Sequence, residues 1–309
     1  MKQTLKYIAV TLFGMALWSC NQEEMKSESV LYLPEARNSD FDKYLRREFL
    51  LPYNLELKYW LDDNEADQSV QLVPARIESS KIMAVLLKHL WLDVYAEASP
   101  EGSTFLKRHA IRLIQLVGSG GWNPNNTVKL GYAMGGKKIV LFNVNLLSES
   151  RPENLDPARL LDSESGGDFH TIHHEFAHIL HQTKNFSTEY EQISVGDYLS
   201  TGWSESSNTQ QKSIDLGFVT RYARMSKDED FVEVYSCYVT MTPEAWEDLL
   251  NTATVDDNGR RVGKELVLRK LEIVRNYIQE AWGMDIDKIR DIILRRAGEI
   301  QDLEFEDLK

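Results

Sequence analysis

Asp168-Phe169-His170-Thr171-Ile172-His173-His174-Glu175-Phe176-Ala177-His178-Ile179-Leu180-His181-Gln182-Thr183-Lys184 is the stretch on which the reading of this chain turns. Five of the seven histidines fall in it, between His170 and His181. Phe176, Ala177, Ile179 and Leu180 supply an apolar face, and the pattern predicts a helix over 168–184. At 3.6 residues per turn, His174 and His178 project from the same side, so both imidazoles can reach one ion. Zinc takes neutral imidazole nitrogen at about 2.0–2.1 Å and prefers four ligands, one of them a water in catalytic sites. Glu175, beside the first of the two histidines, is placed to take a proton from that water.

A third protein ligand has to come from elsewhere. His181 stands seven residues after His174, about 10.5 Å along a helix axis, too far to share an ion with it. No histidine follows His181, so the missing ligand is expected to be a carboxylate. His170, His173 and His181 are expected to orient the site, to pack or to lie on the surface. Tyr222-Ala223-Arg224-Met225-Ser226-Lys227-Asp228-Glu229-Asp230-Phe231-Val232-Glu233 is the best source. Glu229 and Glu233 are one helical turn apart, and either can face the metal.

Outward from the motif, the rest of the chain reads as one α+β unit with no internal repeat and no Pro/Gly-rich linker. Upstream, Ser39 to Phe49 is expected to be a helix capped by Ser39 or Asp40 and stopped by Pro52. Asn54 to Leu61 alternates like a strand, and Glu78 to Tyr95 is strongly helical, with His89 on its apolar stripe as a core histidine. Ala110 to Val117, Thr127 to Tyr132 and Lys138 to Val144 read as strands separated by glycine turns. Lys138 to Val144, the last strand before the motif, is a candidate edge strand for an extended substrate. Downstream, helices are expected over Phe231 to Met241, Pro243 to Leu250, Lys264 to Trp282 and Ile286 to Ala297. Asp256-Asp257-Asn258-Gly259 has part of a calcium-loop spacing, but Thr254 holds the first ligand position and an ordinary turn is expected.

The whole chain has 309 residues and a formal charge of −13, which argues against a nucleic-acid partner. Its apolar fraction of 42% is that of an ordinary globular protein. Lys2 and Lys6 followed by the apolar run Ile8 to Leu17 make a leader too short to span a bilayer. It ends in Leu17-Trp18-Ser19-Cys20, which resembles the lipobox of bacterial lipoproteins. This divides the chain into a signal peptide (1–19), a lipidated tether (20–30) and a metallohydrolase domain (31–309), with a secreted protein cut nearby as the alternative. With Cys20 acylated only Cys237 remains, inside an apolar run and expected to be a small buried hydrophobe.

A tyrosine followed by Glu-Asp-Phe-x-Glu resembles the downstream signature of zincin metallopeptidases of the anthrax lethal factor kind. Val232 stands where that pattern has alanine. The resemblance implies a zincin-like fold, a small mixed sheet with an active-site helix and a mainly helical C-terminal part. It also implies Glu229 as the third zinc ligand, Tyr222 as the donor to a developing oxyanion, and Glu233 as a group orienting a histidine. The lipobox, the His174–His181 helix, Gly202-Trp203-Ser204, Gly217-Phe218-Val219 and the Glu229-Asp230-Phe231 segment together resemble the substrate import-associated zinc metallohydrolase lipoproteins of Bacteroidetes. That family implies Zn2+, a peptide or glycopeptide substrate and a SusC/SusD-like outer-membrane importer as partner. It further implies a lipid-anchored place on the outer membrane, exposed at the cell surface. The expectation is therefore a zinc metallopeptidase, with a catalytically silent zinc-containing accessory lipoprotein as the rival reading.

Overall fold

The computed structural model describes residues 37–61, 72–122, 128–129, 131–134, 138–148, 155–162, 167–306 and 308. The chain divides after Arg37, and every described helix and strand belongs to the unit Asn38–Lys309. The leader, Cys20 and the tether lie outside the described residues. Among those described, no helix is long and apolar enough to cross a membrane.

Helix α1 (Asp40–Leu45) starts at Ser39, whose hydroxyl accepts from the Asp42 N–H while the Asp42 carboxylate accepts from the Ser39 N–H. Pro52 does not stop it. The helix widens into a π turn, Arg46–Leu50, and closes with Leu51–Tyr53. Proline has no N–H to offer the ladder, and in the wider turn the Leu51 N–H reaches back to the Arg46 carbonyl. Asn54, left-handed at φ 54°, ends the run. A second long helix is built the same way, from α2 (Ile77–Leu87) through the π turn Lys88–Leu92 into α3 (Asp93–Ala98). Its His89 is half-buried, with Nε2 on the Arg296 carbonyl at 2.8 Å, the satisfied histidine expected.

Between β1 (Glu56–Lys58) and the motif helix come α4 (Ser103–His109), β2 (Leu113–Leu116), β3 (Gly121–Trp122), β4 (Val128–Lys129), β5 (Gly131–Met134) and β6 (Lys138–Leu141). The main sheet has the order β1-β2-β6-β5, with the first three parallel and β5 antiparallel to β6. Ile114 and Ile139 sit in register at its centre and are fully buried. Central parallel strands are covered on both faces, which is why they read as continuous apolar runs. The expectation that Lys138–Val144 is an edge strand is wrong: β6 is flanked on both sides, and β5, folding back antiparallel, takes the edge and lies along the motif helix. The Thr127–Tyr132 run is split between the main sheet and a separate β3-β4 ribbon.

The remaining elements are helical: α5 (Pro157–Leu161), α6 (Asp168–Thr183), α7 (Glu189–Gln192), α8 (Gln210–Asp215), α9 (Lys227–Thr240), α10 (Pro243–Asn251), α11 (Val262–Trp282) and α12 (Ile286–Gly298). Two packed helices, α6 and α9, form the centre of this part. Phe169, Ile172, Phe176 and Leu180 give α6 a fully buried stripe, and the Phe176 ring meets Trp91, Tyr95 and Phe105 edge-on. Cys237 is buried in α9, as expected. Asp256 turns the chain by accepting from the Asn258 and Arg260 N–H groups, so this segment is the ordinary turn expected.

Helix α11 crosses the end of α8 so closely that a Cβ on Gly263 would lie 2.0 Å from the Ile214 carbonyl oxygen. Gly263→Ala is therefore expected to destabilise the fold by about 1–3 kcal/mol, the cost of overpacking. Thermal unfolding would show it as a lowered midpoint, and an unchanged midpoint would mean that α11 can shift freely. A buried ion pair reinforces the same helix. Lys270 Nζ lies 2.7 Å from Asp230 Oδ2, and both side chains are 0% exposed.

Candidate metal centre

His174 and His178 occupy successive turns of α6 with rings 4.9 Å apart, as the i, i+4 spacing requires. Across from them, α9 opens with Ser226, whose hydroxyl caps the helix by accepting from the Glu229 N–H at 3.2 Å. Ser226-x-x-Glu229 has the spacing of a reciprocal capping box. Here the glutamate carboxylate faces the histidines instead. Glu229 Oε2 lies 3.2 Å from His174 Nε2 and 3.2 Å from His178 Nε2.

These separations suit a tetrahedral zinc site. Bonds of about 2.0–2.1 Å give ligand-to-ligand edges of about 3.3 Å, close to the two 3.2 Å edges found. Two imidazoles and a carboxylate leave a fourth position for water or substrate. A second cluster, His170, His174 and Glu233, is wholly buried. It is already closed by short polar contacts of its own, and its share of His174 is Nδ1 rather than Nε2.

Glu233 sets the state of His174. Its Oε1 is 2.7 Å from His174 Nδ1 and 3.2 Å from His170 Nε2, while Oε2 accepts from the Thr220 hydroxyl at 2.6 Å. A carboxylate at Nδ1 holds a proton there and leaves Nε2 facing Glu229, the usual arrangement behind a metal-bound histidine. His178 is supported in the same way, with Nδ1 2.9 Å from His181 Nε2. Burial, with His178 next, pushes His181 down to about 4. Neutral His181 can therefore accept the His178 Nδ1 proton.

Burial disfavours charge on Glu229, but hydrogen bonds from His174 and His178 win and bring its pKa down to about 2. Burial likewise opposes protonation of His174, yet the carboxylates of Glu229 and Glu233 on its two nitrogens push it up to about 10. A proton and a metal ion thus compete for the same ring. Burial, then the charges of Glu229 and Glu233, raise the Tyr222 pKa, so its hydroxyl stays a proton donor; it hydrogen-bonds Glu229. The Tyr222 ring sits 5.9 Å from the His174 ring, and Trp203 packs edge-on against it at 4.8 Å. Glu175 is half-buried, and its charge is felt by both His174 and Tyr222.

Of the residues singled out from the sequence, His174, His178, Glu229, Tyr222 and Glu175 come together here. His173 is buried away from the donors, its Nδ1 on the Tyr95 hydroxyl at 2.9 Å and Tyr95 in turn on Tyr235 at 2.7 Å. Burial pushes His173 down to about 3, and this neutral ring fastens α6 to the neighbouring helices. Thr220 and Lys270 were not foreseen. Neither carries a motif, and each holds a partner distant in sequence, Glu233 and Asp230.

A small mixed sheet, a buried motif helix and paired imidazoles facing a carboxylate define a metallopeptidase-type zinc site. The family described as "Putative zinc-binding metallo-peptidase" matches residues 34–287, and the chain belongs to it. The cofactor is Zn2+. A solved structure, a zinc-binding metallo-peptidase of Bacteroides caccae whose description also carries the word "putative", is 35% identical to this chain. The match covers 91% of this chain and 100% of that one, with a TM-score of 0.74. No curated protein matches the sequence.

Proposed function

We propose that this protein is a zinc-dependent peptidase whose metal is held by His174, His178 and Glu229. The observation that carries the reading is the convergence of both Nε2 atoms on one Glu229 oxygen at 3.2 Å. Zinc bound there would polarise a substrate carbonyl and lower the pKa of a water toward about 7. Glu175 takes the proton from the attacking water and returns it to the leaving amine. Tyr222 donates to the oxygen on which negative charge develops. Thr220 holds Glu233, and Glu233 holds His174 in the required tautomer. The edge strand β5, packed against α6, offers its outer side to an extended peptide. The proposal extends to the chain's setting: a lipoprotein anchored through Cys20 at the outer-membrane surface, supplying a SusC/SusD-like importer. That part is supported by the lipobox and the family resemblance.

Metal content tests the ligand set. Protein purified without chelator is expected to hold one zinc per chain. Glu229→Ala should lose it, and Glu233→Ala should keep the site with about 10- to 100-fold weaker affinity, as for other groups behind a ligand. Loss confined to Glu233→Ala would transfer the ligand role to Glu233. No zinc in the wild type, even after its addition, would overturn the proposal.

A further inference from the structure

A cavity of about 460 Å³ opens where the end of α6, the start of α9 and the segment 185–191 meet. His181, Phe186, Glu191, Lys227 and Asp228 are among its walls. Two of them join it to the metal donors. His181 Nε2 contacts His178 Nδ1 at 2.9 Å, and Asp228 immediately precedes Glu229. The cavity wall thus touches a ring whose other nitrogen faces Glu229. An extended peptide advances about 3.3–3.6 Å per residue, so a side chain one or two residues from the reacting carbonyl can reach it.

The walls are charged, and unevenly. Glu191 and Asp228 stand against Lys227 alone. The Lys227–Glu191 pair spans 3.2 Å with side chains 43% and 38% exposed, a contact worth little and easily opened. An incoming ammonium or guanidinium can take Glu191 from Lys227 and also meets Asp228. An acidic group meets two carboxylates. The Phe186 ring, held in a stack against Phe231 at 4.1 Å, offers an apolar surface to the methylene stem that lysine and arginine share.

We infer that this cavity is a specificity subsite for a lysine or arginine side chain of the peptide, with Glu191 as its principal partner. The inference rests on the peptidase reading above. Its test is cleavage of a peptide library, randomised on both sides of the cut, by the full zinc-loaded chain, with products read by mass spectrometry. Wild type should enrich Lys and Arg over Asp and Glu at one position. Glu191→Gln, nearly isosteric, should cut that preference about fivefold, the upper end for a partly exposed ion pair. Glu191→Lys should turn it toward acidic residues, with zinc content and melting temperature reporting that both variants are folded. Cleavage without a basic preference, or with the same preference in both variants, would overturn the subsite and leave the peptidase reading standing. If zinc-loaded wild type cleaves no peptide at all, the peptidase reading falls and takes the subsite with it.

Discussion

Glu175→Gln is expected to retain one zinc per chain while lowering kcat by about 10²- to 10⁴-fold, the usual loss when a general base is removed. The substitution keeps the shape of the side chain and removes only its ability to take a proton. In the proposed site His174, His178 and Glu229 hold the metal, a cluster that does not include Glu175, so the ion has no reason to leave. The electrostatics around it change in a defined direction: Glu175 is one of the carboxylates that favour charge on His174 and disfavour it on Tyr222. Loss of that charge leaves the Tyr222 hydroxyl at least as able to donate. Zinc content and turnover of the same preparation make the check. A variant that cleaves at the wild-type rate would remove Glu175 from the mechanism. One that loses its zinc would show that the residue serves the metal directly.

The second large effect lies away from the reacting atoms. Lys270→Met is expected to cost about 3–5 kcal/mol, because breaking a buried pair leaves the other charge without its counterion. Lys270 Nζ is bound by Asp230 Oδ2 at 2.7 Å and by the Gly217 carbonyl at 2.7 Å, and lies 3.9 Å from the Phe218 ring centroid. Without it, Asp230 keeps the Tyr198 hydroxyl at 3.0 Å, a neutral donor in place of a cation. Burial already lifts the Asp230 pKa to about 6 against the pull of Lys270. Removing the cation pushes it further up, so the carboxyl folds protonated. For a domain of this size the expected loss is about 10 °C in Tm. Thermal unfolding of Lys270→Met beside Lys270→Met/Asp230→Leu separates the causes: the double variant should recover part of the loss. Equal losses in both would trace the effect to packing rather than to the stranded charge.

The same pair joins the two arms of the metal centre. Asp230 follows Glu229 on α9, and Gly217 begins the segment that carries Thr220 and Tyr222. A stability defect at Lys270 should therefore be accompanied by weaker zinc binding.

Much of this was legible in the sequence because it is local. The i, i+4 spacing puts His174 and His178 on one side of α6 whatever surrounds the helix. Ser39 marks the start of α1 through a hydroxyl that satisfies the N–H three residues on. By itself the sequence determined the motif helix and most of the C-terminal helices. It could not decide how α9 is rotated about its axis against α6. That rotation sets which glutamate meets which nitrogen, with Glu229 on the Nε2 side and Glu233 on Nδ1, and it comes from packing between helices about 50 residues apart in the chain. Tertiary structure also made β5 rather than β6 the edge of the sheet, because an antiparallel return costs only a short turn and leaves no pattern of its own in β6. It let Pro52 sit inside a helix by widening the turn before it. It also brought Lys270 and Thr220 to their partners, since a buried charge or hydroxyl has no periodicity and is recognised only once the groups it satisfies are in place.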